Sequence, residues 1–397
     1  MIQISEALKI IKRATPVLQI ETLDLENSVG RVLAEKVAAD MDLPPFNRSQ
    51  MDGFAVRSKE TSDAPVKLKI IGESVAGKGF DGKMQAGETV RIMTGARLPE
   101  GADAVQKVEE TRERNGAVEI TKSAKSGENI NLFASEIKSG EKIFDGGEII
   151  NEQMIAAIAS FGYAKIKVFK RPRIAVLSTG SEIVGIAETP QRDQIRNSNS
   201  MMLKIFAEKY GDAKILPHVR DDVESLTAAI RDASENFDIL ITTGGVSVGD
   251  YDFTKPVLKN LGAEIFFEKI SLKPGKPTVF AKRKNCLIFG LPGNPVSSAV
   301  TFYLFVRTAI LLMQSANDTE LKKGFAVAAD KIKAAKERDS VLPASVAANE
   351  KGELIIESLR FNGSSNFIAF ARANALVFVP QAKNLATGEV AEIMWLP

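Results

Sequence analysis

Between Arg173 and Met313, short apolar runs alternate with segments whose apolar residues return every three or four positions, the pattern of strands interleaved with helices. Arg173 to Leu177 is a β-branched run ending in Ser-Thr-Gly, and Ala213 to Val219, Phe237 to Ile241 and Cys286 to Phe289 read as further strands. Helical spacing covers Asn199 to Tyr210, with Met202, Ile205, Phe206 and Lys209 on neighbouring turns. It also covers Val223 to Asn236, behind the candidate caps Asp221 and Asp222, and Phe253 to Leu261, stopped by Gly262. Asn294 followed by Pro295 starts a long apolar helix that runs to Met313. This alternation predicts a central, doubly wound, mostly parallel α/β domain with ligand loops at the carboxyl ends of its strands.

The flanks have a different period. Val66 to Ile71, Glu88 to Ile92, Ala104 to Val108 and Ala117 to Ile120 are short runs separated by Gly, Asp and Pro turns, and predict a small β-rich domain. Ile149 to Phe161 predicts a linking helix closed by Gly162. Gly324 to Ala329, Val341 to Ala347, Leu354 to Ser358, Ala375 to Val379 and Val390 to Trp395 predict a C-terminal all-β domain. The expected fold class is therefore multidomain α/β plus β, with no internal repeat.

A chain of 397 residues is too long for one ordinary core, which agrees with several domains. Lys plus Arg total 52 against 50 for Asp plus Glu, so no basic excess points to nucleic acid or a membrane surface. No apolar run is read as a membrane span, and MIQISEALKIIKRA reads as an amphipathic helix rather than a secretory signal. The single cysteine, Cys286, allows no intramolecular disulfide, and a cytoplasmic location is expected. His218 and Cys286 sit in strand-like runs and are read as structural, so Ser-His-Asp or Cys-His catalysis is not expected. Carboxylates, lysines, hydroxyls and backbone dipoles remain, an inventory suited to Mg²⁺-assisted chemistry on phosphates.

Three loops carry that chemistry. In TTGGVSVGDYD, Gly244, Gly245 and Gly249 let backbone approach a ligand, Ser247 adds a hydroxyl, and Asp250 and Asp252 follow as cation ligands or, for Asp252, a helix cap. In LKPGKP, the Pro-Gly turn aims Lys273 and Lys276 at one oxyanion, unless both are ordinary solvated turn lysines. In LPGNP, Pro292, Gly293, Asn294 and Pro295 place a helix N-terminus at the mouth of the sheet, and Ser297 adds a donor in its first turn. Thr179, Gly180 and Glu182 close the first α/β strand, with Glu182 a candidate to hold a cation or to order a water, or simply a helix-start acid.

These motifs resemble, in order, those of the molybdopterin molybdenumtransferase family, which includes the gephyrin E domain and its plant counterpart. The matching segments are NRSQMDGFAV (Asn47 to Val56), RIMTGARLPEGADAV (Arg91 to Val105), VLSTGSEIV, VRDD, TTGGVSVGDYDFTK, LKPGKP, LPGNPVSSAVTFY and GSSNFIAFARANALVFVP. The resemblance implies a split helical segment (1–46 and 141–168), an inserted β-rich domain (47–140), an α/β molybdopterin-binding domain (169–318) and a C-terminal β domain (319–397). It implies a homodimer and a reaction in which adenylylated molybdopterin and molybdate give molybdenum cofactor and AMP, with Mg²⁺. It implies roles in catalysis for Asp52, Thr94, Glu182, Asp222 and Asp252, metal ligation by Glu182 and Asp250, and a supporting role for Lys269. The molybdopterin adenylyltransferase and other cofactor-synthesis proteins are the partners it suggests. Two features depart from the family pattern. NLFASEI (Asn131 to Ile137) lacks the usual arginine and carries Glu136 as its acid, and a second arginine is replaced near Pro343, with Arg338 close by. An adenylyltransferase-like activity and a peptide-gripping dimeric scaffold are the alternative readings.

Overall fold

The structure is a computed structural model in which residues 1–220, 222–244, 254–359 and 366–397 are described. Asp221, Gly245, Ser247, Gly249, Asp250 and Asp252 of the sequence analysis lie outside the described residues. The chain forms two compact units, one of Met1–Glu35, Gly146–Ile155 and Ala164–Pro397, the other of Lys36–Asp145 and Ala156–Tyr163.

The first unit is built on a six-stranded sheet. Its elements are β1 (Arg173–Ser178), α1 (Ser198–Glu208), β2 (Asp212–Ile215), α2 (Val223–Asn236), β3 (Ile239–Thr243), α3 (Thr254–Asn260), β4 (Glu264–Phe267), β5 (Val279–Arg283), β6 (Cys286–Leu291) and α4 (Pro295–Thr301). The strand order is β2-β1-β3-β6-β5-β4. The four strands β2, β1, β3 and β6 run parallel, and β5 is antiparallel to both neighbours. β3 and β6 are buried along their whole length, as expected where helices cover both faces of a parallel sheet. Residue alternation divides them between two cores. Ile239, Ile241, Leu287 and Phe289 pack with α1 and the helix after β6. Leu240 and Ile288 pack with Leu226 and Ile230 of α2 and Val257 and Leu258 of α3.

The same unit carries the C-terminal sheet. Asp339–Ala348 pairs with both Leu354–Ser358 and Ala375–Val379, and Lys323–Ala328 with both Leu354–Ser358 and Val390–Trp395. The pairing of Ala375–Val379 with Val390–Trp395 closes these strands into a barrel. Ala7 and Ile11 of the N-terminal helix (Ile4–Ala14) share one core with Leu376 and Met394 of this sheet and with the helix after β6. The second unit holds a six-stranded sheet in which Gly53–Val56 lies between Ala104–Lys107 and Glu88–Ile92, followed by Val66–Ser74, Ala117–Ile120 and Thr111–Arg114.

The expected fold class is the observed one, with local corrections. The β2 ladder stops at Ile215 instead of Val219, pairing with the β1 side again only as an isolated bridge between Thr179 and Val219, and His218 is an exposed loop residue. The antiparallel strands β4 and β5 were not expected. The helix from Pro295 to Met313 passes through a π-helical stretch, Phe302–Val306. Its apolar window is long enough to span a membrane (mean hydropathy 1.7), contrary to the reading of no such run, and 94% of that window is buried inside the protein. It is the central rod of a core.

Candidate active site

β1, β3 and β6 end level with one another, since Ser178 pairs with Thr243 and Thr243 with Leu291. The chain leaves β1 for β2 on one side and β3 for β4 on the other, which makes the β1/β3 rim the switch crevice where open α/β sheets bind ligands. A cavity of about 730 Å³ opens there, lined by Ser178, Thr179 and Glu182 after β1, by Thr243 and Gly244 after β3, and by Gly293, Asn294 and Pro295 after β6. Of the loop residues picked out from the sequence, these are the ones that meet. A second cavity of about 700 Å³, between the N-terminal helix, the helix after β6 and the C-terminal sheet, contains none of them.

Close backbone packing shapes the crevice. Gly244 sits at φ +91°, and a Cβ there would lie 2.7 Å from the Thr179 carbonyl oxygen. This glycine therefore serves the approach of the β3 loop to the β1 loop, where the Thr179 amide donates to the Thr243 carbonyl at 3.2 Å. Asn294 caps α4 with Pro295 at its first position, the arrangement its sequence suggested. The buried Ser298 hydroxyl donates to the Pro292 carbonyl and ties down the turn before the helix. Ser297, the expected donor, is buried and is not part of the cavity wall.

Other predicted residues lie elsewhere. The turn bearing Lys273 and Lys276 precedes β5, whose Val279 pairs with Gly290 of β6. The turn thus leaves the sheet at the same end, one strand beyond the crevice. Both lysines are exposed and neither lines the cavity, and Lys269 is half-buried. Asp222 is the N-cap of α2 and accepts from the Ser225 amide at 2.8 Å. That bond, with a weaker one from the Ser225 hydroxyl, holds its carboxyl below the usual range. In the second unit, Asp52 and Thr94 meet although they are 42 residues apart. Asp52 Oδ1 accepts from the amide and the hydroxyl of Thr94, each at 2.7 Å, and these bonds lower its pKa.

Among the cavity residues that the sequence reading did not single out, three bear most on the crevice. Asn197 caps α1 and donates from Nδ2 to Ser178 Oγ at 2.9 Å. Asn199 donates from Nδ2 to the Gly293 carbonyl at 2.6 Å and to Thr243 Oγ1 at 3.2 Å. Phe367 comes from the short helix Phe367–Phe370 of the C-terminal region. Only the two asparagines left a trace, as an Asn-Ser-Asn helix-start signature. Ser178 Oγ also lies 3.3 Å from His218 Nδ1, so the one histidine of the chain reaches the crevice margin instead of filling a strand. Among the described residues no group of three or more His, Cys, Asp or Glu side chains forms a metal cage, and Glu182 is the one carboxylate on the described cavity wall.

Comparison with known proteins agrees with this architecture. Three family descriptions match consecutive segments: "MoeA N-terminal region (domain I and II)" over residues 2–162, "Probable molybdopterin binding domain" over 175–311 and "MoeA C-terminal region (domain IV)" over 326–396. The molybdopterin molybdenumtransferase of Staphylococcus aureus strain Mu50 is 35% identical, with 99% of this chain and 95% of the relative covered. That of Staphylococcus epidermidis strain RP62A is 33% identical over the same shares. The molybdopterin biosynthesis moeA protein from Pyrococcus horikoshii OT3 superposes with a TM-score of 0.85 at 26% identity, all of both chains being covered. Another moeA structure from the same organism gives 0.81 at 31% identity over 100% of this chain and 99% of the other. Full-length kinship of this kind, on a sheet whose crevice gathers described residues that follow β1, β3 and β6, makes the chain a member of the MoeA family of molybdopterin molybdenumtransferases.

Proposed function

We propose that this protein is a molybdopterin molybdenumtransferase: it opens the pyrophosphate of adenylylated molybdopterin, releasing AMP, while molybdate enters the dithiolene to give molybdenum cofactor. The observation that carries this reading is family membership over the whole chain. The crevice supports it, because it offers hydroxyls, amides and a helix start around a cavity large enough for a nucleotide-sized ligand. Thr179, Gly180, Gly244, Pro292, Gly293, Asn294 and Pro295 are assigned to substrate binding, together with Gly245 and Ser247. Lys269, Lys273 and Lys276 supply positive charge beside it. Asp52, Thr94, Glu182, Asp222 and Asp252 are assigned to the chemical step.

A Mg²⁺ ion, with Glu182 and Asp250 as its protein ligands, fits the all-oxygen donor set: magnesium commonly takes one or two carboxylates and fills its shell with phosphate oxygens and water. When bound it neutralises phosphate charge. Glu182 orders the water that attacks the pyrophosphate, and the lysines and the start of α4 offset the charge that grows on the leaving phosphate. We assign a homodimer, cytoplasmic location and supply of substrate by an adenylyltransferase.

The test is direct. Purified protein is given adenylylated molybdopterin, molybdate and Mg²⁺, and AMP is followed together with activation of a cofactor-free molybdoenzyme. AMP release with activation is expected, dependent on Mg²⁺ and abolished in Asp52→Ala and Lys273→Ala. Absence of both from the unmodified protein overturns the reading. Light scattering should give twice the 43.0 kDa chain mass.

A further inference from the structure

Ser178 is the node of a hydrogen-bond chain that the assigned chemistry does not use. It is buried at the end of β1, on the crevice wall. Asn197 Oδ1 accepts from the Ser200 amide at 3.1 Å, which fixes the orientation of the carboxamide and turns Nδ2 toward Ser178. Ser178 Oγ thus receives a hydrogen from Asn197 at 2.9 Å and has its own hydrogen to give. The acceptor that meets it is His218 Nδ1, at 3.3 Å. A bond in that direction requires a bare Nδ1, with the ring hydrogen on Nε2.

The chain joins three elements. Asn197 ends the loop between β1 and α1 and caps that helix, Ser178 closes β1, and His218 stands on the segment from β2 to α2. Two backbone bonds tie the same segment to β1: the Leu216 amide donates to the Val176 carbonyl at 2.9 Å, and the Val219 amide to the Ser178 carbonyl at 3.3 Å. The Val219 bond is long for an N–H···O bond, and the His218 ring reinforces it at the same serine. Beyond Val219 the segment leads to Asp222, the cap of α2. The charged groups on the elements around the ring are Arg220 and Asp222 of its own segment, Lys214 of β2, Glu224 of α2, Glu182 after β1 and Arg196 before α1. Among the described residues none of them forms an ion pair with His218, whose one side-chain partner is Ser178.

We infer that His218 is a positioning residue that acts through Ser178: neutral, it accepts the serine hydroxyl hydrogen and holds the segment leading to Asp222 against the end of β1. Protonated, its Nδ1 becomes a donor, the buried hydroxyl loses its acceptor, and the segment loosens. The inference rests on the proposed function for the reaction that Asp222 serves. It gives that reaction an acid limb, because histidine is the side chain whose charge changes between about pH 5 and 8.

The experiment follows AMP release from adenylylated molybdopterin against pH in the unmodified protein, His218→Ala, His218→Asn and Ser178→Ala, with thermal unfolding as the folding control. His218→Ala should lower kcat/KM at about pH 8 by about three- to tenfold, the worth of one hydrogen bond, and flatten the acid limb. His218→Asn, whose amide oxygen stands near the place of Nδ1 and does not titrate, should recover most of that loss and show no limb. His218→Ala added to Ser178→Ala should cost nothing beyond Ser178→Ala alone, because both act through one bond. Hydrogen exchange of the Val219 amide, corrected for its intrinsic pH dependence, reads the same segment without substrate. It should be about tenfold faster at about pH 5.5 than at about pH 8 in the unmodified protein, and equal at the two in His218→Asn. An acid limb that persists in His218→Asn, additive losses in the double variant, or Val219 protection indifferent to pH overturns the inference. Val219 protection that follows pH with no AMP released by the unmodified protein overturns the proposed function and leaves the positioning role standing.

Discussion

One carboxylate oxygen of Asp52 takes both donors of Thr94, the amide contributing more than the hydroxyl to lowering its pKa. A carboxyl whose folded pKa is depressed gives its stabilising share above the ordinary range and loses it as pH falls through the folded value. Asp52 is thus ionised throughout the neutral range, and no acid limb of activity near neutrality belongs to it. Thr94→Val keeps the amide and removes the hydroxyl; carbon-detected NMR titration should place the Asp52 pKa between its unmodified and ordinary values. Cys286 behaves oppositely, its thiol pushed up to about 12 by burial. It should resist a soluble disulfide reagent at pH 8 until the chain unfolds, so its labelling rate reports opening of the β6 region. Ser298→Ala deprives the buried Pro292 carbonyl of its donor, which should cost about 1–3 kcal/mol in urea unfolding and raise the KM for substrate by loosening the turn before α4.

At the scale of elements, the lysine turn is defined by what it packs against. Gly275 has φ +124°, and a Cβ would meet Thr301 Cγ2 of α4 at 2.6 Å and Leu272 Cδ2 at 3.0 Å. Gly275→Ala should therefore destabilise by about 1–3 kcal/mol and displace Lys273 and Lys276. Gly293→Ala is the contrast: its Cβ meets only the Gly244 Cα at 3.9 Å, and its melting temperature should stay near that of the unmodified protein. The strands and helices that could be read in advance were those whose apolar residues repeat at one period and stop at a Gly, Pro or cap. β3, α2 and the helix after β6 are of that kind. β4 and β5 were not readable, because Glu264–Phe267 and Val279–Arg283 are short, mix charge with apolar residues, and owe their pairing to one another and, for β5, to β6. The gathering of loops after β1, β3 and β6 could be anticipated, since parallel strands end on one side of a sheet. The Asn199 bridge and the Phe367 ring could not, because they depend on which side chains from distant segments share a wall.

Across the whole molecule, residues from both ends of the chain build one interior. Ala7 and Ile11, the helix from Pro295 to Met313, and Leu376 and Met394 lie in a single core. Removing Val390–Pro397 should consequently lower the thermal stability of the α/β sheet itself, and a melting curve of the truncated protein should show no transition at the original temperature. The order in which a ribosome delivers the chain gives that shared core a further meaning. The nineteen-residue apolar rod emerges well before the strands that cover one of its sides, and contacts of such long sequence separation form slowly. A half-made copy therefore exposes a greasy segment that membrane-targeting machinery and chaperones both recognise. A nascent chain stalled with residue 330 just clear of the ribosome should accordingly be captured by a chaperone, and one with residue 397 clear of it should be released.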